Sequence, residues 1–279
     1  MKKILVPTDF SQGSKIATEY ALAIAEMCNT SIVFLHIVVT PLDWVNLPLE
    51  KEKLYPETKA EIANAKRALQ ELENNAHAKG VAVETSLQFN KSREAIEEHI
   101  IKGEFDLVVM GSHGARGIRE FMIGSNAQKV IRNSAVPVLV VKTPPDEYTF
   151  RNIVFASTYQ DGHIASFQKI IELGENLAAP IHLLYINTPY YFKETEDMEY
   201  MLNSFAEGFP NNNFQKHIYN AFNEERGISN FMTNKGMDVL AIATEGKSSI
   251  KQLFSPSLTE SLINHLDNPI LTLNLSKIQ

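Results

Sequence analysis

Between Gly111 and Ser125 the sequence reads GSHGARGIREFMIGS, spacing Gly111, Gly114, Gly124 and Ser125 as G-x2-G-x9-G-S. An apolar run, Leu107 to Met110, comes before it and a helical pattern comes after it. Glycine leaves backbone N–H groups unshielded by a Cβ and reaches positive φ, and a helix starting at such a loop adds N–H groups and the positive end of its dipole. These are the parts of a phosphate cradle. Ser125 and Gln128 read as an S-x-x-Q capping box that opens the helix.

A damaged copy of the stretch, ATEGKSSIKQLFSPS, runs from Ala243 to Ser257. Ala243 stands where the first half has Gly111, and Pro256, with no N–H and a fixed φ, stands where it has Gly124. Ser257 and Glu260 still read as a capping box, but the anion cradle is expected to be lost. Within the copy, Ala241 to Ser248 (AIATEGKS) fits a loosened P-loop. A true P-loop belongs to the first strand of its domain and needs a later magnesium-binding acid, so Lys247 reads as a solvated loop lysine.

The repeat extends beyond the glycines. At an offset of 149, KILVPTDF (Lys3 to Phe10) lies on NIVFASTY (Asn152 to Tyr159), and SIVFLHIV (Ser31 to Val38) lies on PIHLLYIN (Pro180 to Asn187). At an offset of 132, FDLVVMG (Phe105 to Gly111) lies on MDVLAIA, and VPVLVV (Val136 to Val141) lies on NPILTL. The difference, 149 minus 132, is a 17-residue deletion between the second and third strands of the second copy. Two homologous domains follow, residues 1–146 and 147–279, joined near the polar stretch Lys142 to Thr149.

In the first half, strands are expected at Lys3 to Val6, Ser31 to Val38, Val81 to Phe89, Leu107 to Met110 and Pro137 to Val141. Helices are expected at Ser11 to Met27, with Ile16, Tyr20, Ala23, Ile24 and Met27 on one face, and at Pro56 to Lys79, Ser92 to Lys102 and Ser125 to Asn133. Such alternation gives an α/β fold: two doubly wound, five-stranded parallel-sheet domains in tandem, Rossmann-like, each with its first and fourth strands adjacent. Asp9 and Gly111 then border one crevice at the carboxyl edge of the sheet, where the winding reverses.

VPTDFS after the first strand, LHIV closing the second, MGSHG-x9-GS after the fourth and the following VPVLVVK resemble the universal stress protein family in its tandem form, over both halves. The resemblance implies a HUP-type fold and an ATP site, with magnesium accompanying the nucleotide. Pro7, Thr8 and Asp9 would line the adenosine end, and the backbone of Ile37 would read the adenine edge. Met110, Gly111, Ser112, His113 and Gly114 would follow the ribose and phosphates, with Gly124, Ser125 and Asn126 closing on the terminal ones.

Other roles compete for some of these residues. Asp9, alone or with Ser11, could cap the following helix. His113 reads as a hydrogen-bond donor rather than a base, Arg116 and Arg119 as solvated, and Cys28 as a small buried hydrophobe. No constellation of base and transition-state cation is evident, so no catalytic or structural-metal residue is assigned. A regulatory ATP-binding protein is preferred to a slow ATPase. A third reading makes the second half a docking module, hinted at by Tyr190, Tyr191 and Phe192, although aromatics there are expected in the core or an interface.

The 279 residues carry a net charge of -7, which argues against nucleic-acid binding, and no apolar run approaches the roughly 20 residues of a membrane span. One cysteine excludes an internal disulfide, and a cytoplasmic location is expected. Each half ends in an apolar edge strand of the kind normally paired or covered. The two are expected to pair across a pseudo-twofold axis, so that one chain mimics a dimer of single domains; a homodimer of the chain is left open.

Overall fold

Each half builds its sheet from short β-branched runs separated by helices. In the computed structural model, all residues are described except 91–95, 103, 114–122, 146, 160–163, 245–255 and 275–279. The first half runs β1 (Lys3–Pro7), α1 (Gln12–Cys28), β2 (Ser31–Val39), α2 (Leu49–Glu52), α3 (Pro56–Ala78), β3 (Val83–Asn90), α4 (Ile96–Lys102), β4 (Leu107–Gly111), α5 (Ser125–Asn133) and β5 (Val138–Val141). The second runs β6 (Ile153–Ala156), α6 (Ile164–Leu177), β7 (Ile181–Asn187), α7 (Thr195–Glu207), β8 (Gln215–Asn220), α8 (Glu224–Lys235), β9 (Val239–Thr244), α9 (Pro256–His265) and β10 (Ile270–Asn274).

The expected elements of the first half are present. β3 starts two residues later than the sequence pattern suggests, and α2 is an addition. The strands form one ten-stranded sheet in the order β3-β2-β1-β4-β5-β10-β9-β6-β7-β8, so each half has the doubly wound arrangement with its first and fourth strands adjacent. Neighbours within each half are parallel, and β5 meets β10 antiparallel, with Leu139 opposite Leu271. The two edge strands therefore cover one another, as their composition predicted.

Alternation along the strands sends side chains to two cores. Ile4, Val6, Phe34, Leu107 and Val109 meet α1 and its neighbours, while Leu5, Leu35, Val108 and Met110 share the other face with Ala127, Val130 and Ile131 of α5. α1 also packs on α6 of the second half, so it buries more than one stripe: Ala17, Ala21 and Ala25 join Ile16, Tyr20 and Ile24. Met27, expected on that face, is instead exposed. α3 covers the sheet through Ile62 and Leu69, with Leu72 partly buried, as its stripe predicted. Cys28 is half-buried, its Sγ donating to the Asn176 carbonyl, and burial raises its pKa.

The halves repeat each other in backbone detail. Phe10 (φ 61) and Tyr159 (φ 54) occupy the left-handed region one offset apart, as do Asn29 (φ 48) and Ala178 (φ 52) at the ends of α1 and α6. Outside glycine such conformations cost about 1–2 kcal/mol each, so their recurrence marks a shared architecture rather than local accident.

The second half adds a titratable pair of which one ring is buried and the other partly so. His182 of β7 and His217 of β8 stack with ring centroids 5.2 Å apart, and Nδ1 of His182 lies 3.0 Å from Nε2 of His217. Burial lowers both pKa values, and for His217 the His182 ring and Lys235 of α8 push in the same direction. The folded state thus favours neutral rings, whereas the unfolded chain takes up protons near the ordinary imidazole value of about 6.5. Stability from this pair should be complete above neutral pH and decline as pH falls below about 6.5. Thermal unfolding followed between roughly pH 7.5 and 5 should show this slope, and it should flatten in the double variant His182→Leu/His217→Phe.

Candidate functional site

The carboxyl end of β1 is a stiff turn. Thr8 donates its N–H to the Leu35 carbonyl (2.8 Å), and its own carbonyl accepts from Nδ1 of His36 (2.7 Å). Thr8 Oγ1 accepts the N–H of Phe10, whose ring lies 4.5 Å from that of His36. Asp9 Oδ1 accepts the N–H of Ser11, and Ser11 Oγ in turn accepts the N–H of Ser14, so Ser11 is the N-cap of α1. Asp9 therefore supports the cap without being it.

Strand alternation explains why Ile37 fits the role of an edge reader. β1 pairs with β2 only as far as Pro7 opposite Leu35. Leu35 turns its carbonyl toward β1, and Ile32 and Thr40 turn their N–H groups toward the β3 side. N–H and C=O of one residue share a side and alternate along a strand. Ile37 thus directs both groups to the β1 side, beyond the point where β1 pairing ends.

At the end of β4, Ser112 donates its N–H to Val141 and accepts the N–H of Gly124 (2.7 Å), which fixes the start of α5 beside the strand. Ser112 is buried, and its Oγ lies 2.8 Å from Nδ1 of His113. Met110 puts its side chain into the core, and alternation with Val108 and Ser112 turns its N–H and C=O toward β5. The first N–H groups of α5, from Ser125 and Asn126 onward, are the donors a helix start leaves without intrahelical partners. Gly114, Arg116 and Arg119 lie outside the described residues.

Three details differ from the sequence reading. Gly124, not Ser125, is the N-cap of α5, with no side-chain capping bond, so the S-x-x-Q box does not form. Gly124 has φ -65° and Gly111 is also outside the left-handed region, so neither is needed for positive φ. A Cβ on Gly111 would come within 2.7 Å of the Gly13 carbonyl carbon and oxygen, and a Cβ on Gly13 would overlap the His113 carbonyl oxygen. Gly111 serves the close approach of α1 to β4. Sequence reasoning missed Gly13; the signal was there, since Gly162 holds the same place one offset later.

In the second half, Ser157 and Tyr159 repeat the β1 turn, with the Tyr159 N–H donating to Ser157 Oγ. Tyr159 adds a hydroxyl that donates to the carbonyls of Phe155 and Leu184, and its ring is buried against Phe155 and Phe205. Thr158 replaces Asp9, and Ala243 is buried at the end of β9. Pro256 is the first residue of α9 and Ser257 lies inside that helix, while Glu260 pairs with Arg132 (2.6 Å). Of the P-loop-like segment, Ala241 to Thr244 lie in β9 and the remainder lies outside the described residues.

The universal stress protein family model matches residues 1–142, the half in which these features are assembled. The chain belongs to the universal stress protein family. It is 35% identical over 148 residues to the universal stress protein MJ0531 of Methanocaldococcus jannaschii, covering 52% of this chain and 85% of that protein. The universal stress protein Slr1230 of Synechocystis is 25% identical across 98% of this chain and 99% of its own length, so the tandem form recurs in a relative. In structure, a universal stress protein from Archaeoglobus fulgidus superposes with a TM-score of 0.74 at 18% identity over 98% of each chain, which supports the fold. Among the described residues of this universal stress protein, no helix is long and apolar enough to cross a membrane.

The Gly13–Gly111 contact makes a prediction opposite to helix propensity. In an exposed helix, Gly→Ala stabilises; here Gly13→Ala and Gly111→Ala should each destabilise by about 1–3 kcal/mol through overpacking, lowering the unfolding midpoint by a few degrees. A rise in midpoint for Gly13→Ala would show that α1 does not approach β4 so closely.

Proposed function

We propose that the N-terminal half, residues 1–146, holds ATP with magnesium at the β1/β4 crevice, and that residues 147–279 form a related domain whose nucleotide motif has degenerated. The observation that carries this reading is the pairing of two backbone features across one switch point. Ile37 turns its N–H and C=O to the side where β1 has ended, and the start of α5 is fixed next to β4 by the Gly124–Ser112 bond. The first edge suits a purine, which presents donors and acceptors in a plane. The second suits phosphate, because N–H groups and the helix dipole both favour negative charge.

The turn between them is preorganised. Thr8, Asp9 and Ser11 are held by their own hydrogen bonds before any ligand arrives, so little conformational entropy remains to be lost on binding. Pro7, Thr8 and Asp9 then line the adenosine end, and Met110 to Gly114 with Gly124 to Asn126 follow the phosphates. In the second half, Tyr159 is committed to the strand backbone and Pro256 removes a donor at the helix start. One nucleotide per chain is the resulting stoichiometry.

A regulatory role fits better than catalysis. His113 Nδ1 is engaged with Ser112 Oγ, an arrangement suited to positioning the loop. Occupancy would stabilise one conformation of the first half, which partners then read.

Thermal unfolding with and without Mg-ATP tests the proposal. At 100 times its dissociation constant a ligand adds about 2.7 kcal/mol, a readily measured rise in midpoint. Gly124→Val should abolish the rise while leaving the unliganded midpoint nearly unchanged, because the φ and ψ of Gly124 (-65°, 146°) suit an ordinary residue. No rise in the wild-type protein would overturn the reading, and ADP release over hours of incubation would favour the ATPase instead.

A further inference from the structure

The loop after β7 and the loop after β8 leave adjacent strands, since Asn187 and Asn220 are register partners joined by a 3.0 Å side-chain bond. Both loops carry aromatic residues that point into solvent. Tyr190 is 85% exposed, Phe192 69% and Phe222 77%; Tyr200, on α7 next to them in sequence, is 76% exposed. The equivalent segment of the first half, after β2, buries its aromatic Trp44 to 9% against Tyr55, Val38 and Ile62, while exposing the aliphatic Val45, Leu49 and Leu54. Scattered apolar residues on a surface are ordinary, but aromatics gathered at one end of a sheet mark an interaction site.

The aromatic loop is held in place. Asn187 Oδ1 accepts the N–H of Lys193 and its Nδ2 donates to the Lys193 carbonyl, closing the segment between them, and Tyr190 and Tyr191 meet edge to face at 4.7 Å. A rigid loop presenting Tyr and Phe loses little entropy on binding. Its surroundings are acidic. Glu194, Glu196, Asp197 and Glu199 are exposed around the start of α7, against one basic residue, Lys193, and no ion pair engages the four among the described residues. Glu196 and Tyr200 are four apart on α7 and so lie on one strip. The helix dipole accounts for acids in the first turn of α7, but not for Glu199 or for the aromatics.

We infer that the aromatic end of the second half, Tyr190, Phe192, Tyr200 and Phe222, is a docking surface for a basic amphipathic segment of a partner protein. Its apolar side chains cover the rings, and its Arg or Lys side chains meet the acidic rim and stack on exposed ring faces. The negative rim disfavours nucleic acid and anionic membrane as occupants. The surface is separate from the nucleotide crevice, so the inference stands or falls independently of ATP binding.

The test is selection from a displayed library of random peptides on immobilised full-length protein, with counter-selection on the triple variant Tyr190→Ser/Phe192→Ser/Phe222→Ser. Enriched peptides should combine net positive charge with Leu, Phe or Trp. A synthetic peptide from the selection should bind the wild type at least about tenfold more tightly than the triple variant. Its affinity should fall with added salt and in the charge reversal Glu196→Lys/Glu199→Lys, which keeps the rings and guards against misfolding of the triple variant. Failure to enrich any peptide over the triple variant would overturn the inference. So would enrichment of acidic or uncharged peptides, or sedimentation showing that the wild type self-associates through this face while the triple variant is monomeric.

Discussion

An unpaired, apolar edge strand is the constraint around which this molecule is arranged. β5 and β10 have every residue buried, and each ends its half of the sheet with a row of backbone groups that need partners. Pairing the two edges satisfies both at once. Here the two like edges meet antiparallel, across the pseudo-twofold, in a sheet whose other described pairings are parallel. Arg132–Glu260 and Lys142–Asp267 decorate the seam, but exposed ion pairs of this kind contribute at most about 1 kcal/mol each. Cohesion comes from the buried strands, with Thr272 Oγ1 and Asn274 Nδ2 donating across the seam to Val138 and Arg132 carbonyls.

The junction also sets what the two halves share. α5 begins at Gly124, beside the candidate phosphate position, and its last turn carries Arg132, which holds Glu260 of α9 by its side chain and Asn274 of β10 by its carbonyl. One nine-residue helix thus spans from the crevice of the first half to the seam. α1 makes a second link: its start is wedged by Gly13 against Gly111 and His113, and its length packs on α6. Two of the elements bordering the crevice, α1 and α5, thus also touch the second half.

The fold was legible because periodicity and internal repetition are collective signals. Offsets of 149 and 132 placed the strands of the second half without reference to their composition, and buried parallel strands such as LVVMG and VLAIAT are apolar enough to stand out. Single-residue roles were less legible, for physical reasons. Glycine spacing reports that a Cβ is excluded but not by what, and at Gly111 it could not reveal the close approach of Gly13. An S-x-x-Q pattern is unchanged by a one-residue shift of the helix start, and here the shift turns a capping serine into the first helical residue. Met27 sits on the rim of the α1 stripe, where a wheel cannot tell contact from exposure.

Divergence of the halves is concentrated at the ends of equivalent strands. The turn after β1 and the turn after β6 share a left-handed residue and the same amide-to-hydroxyl bond, yet Tyr159 in the place of Phe10 supplies a donor for the strand carbonyls and ties the ring into the core. Between second and third strands, the first half has α2 and a 23-residue α3, the latter packing Ile62 and Ala65 with Trp44, whereas the second half has only the 13-residue α7. The deletion removed the cover from that end of the sheet, and the Asn187 clamp turns the shorter loop so that its rings face solvent. Exposed rings oppose solubility, and an acidic rim restores it by keeping the surface charged. That rim in turn restricts what can approach the rings, so loss of one packing element and gain of a selective surface follow from the same change in chain length.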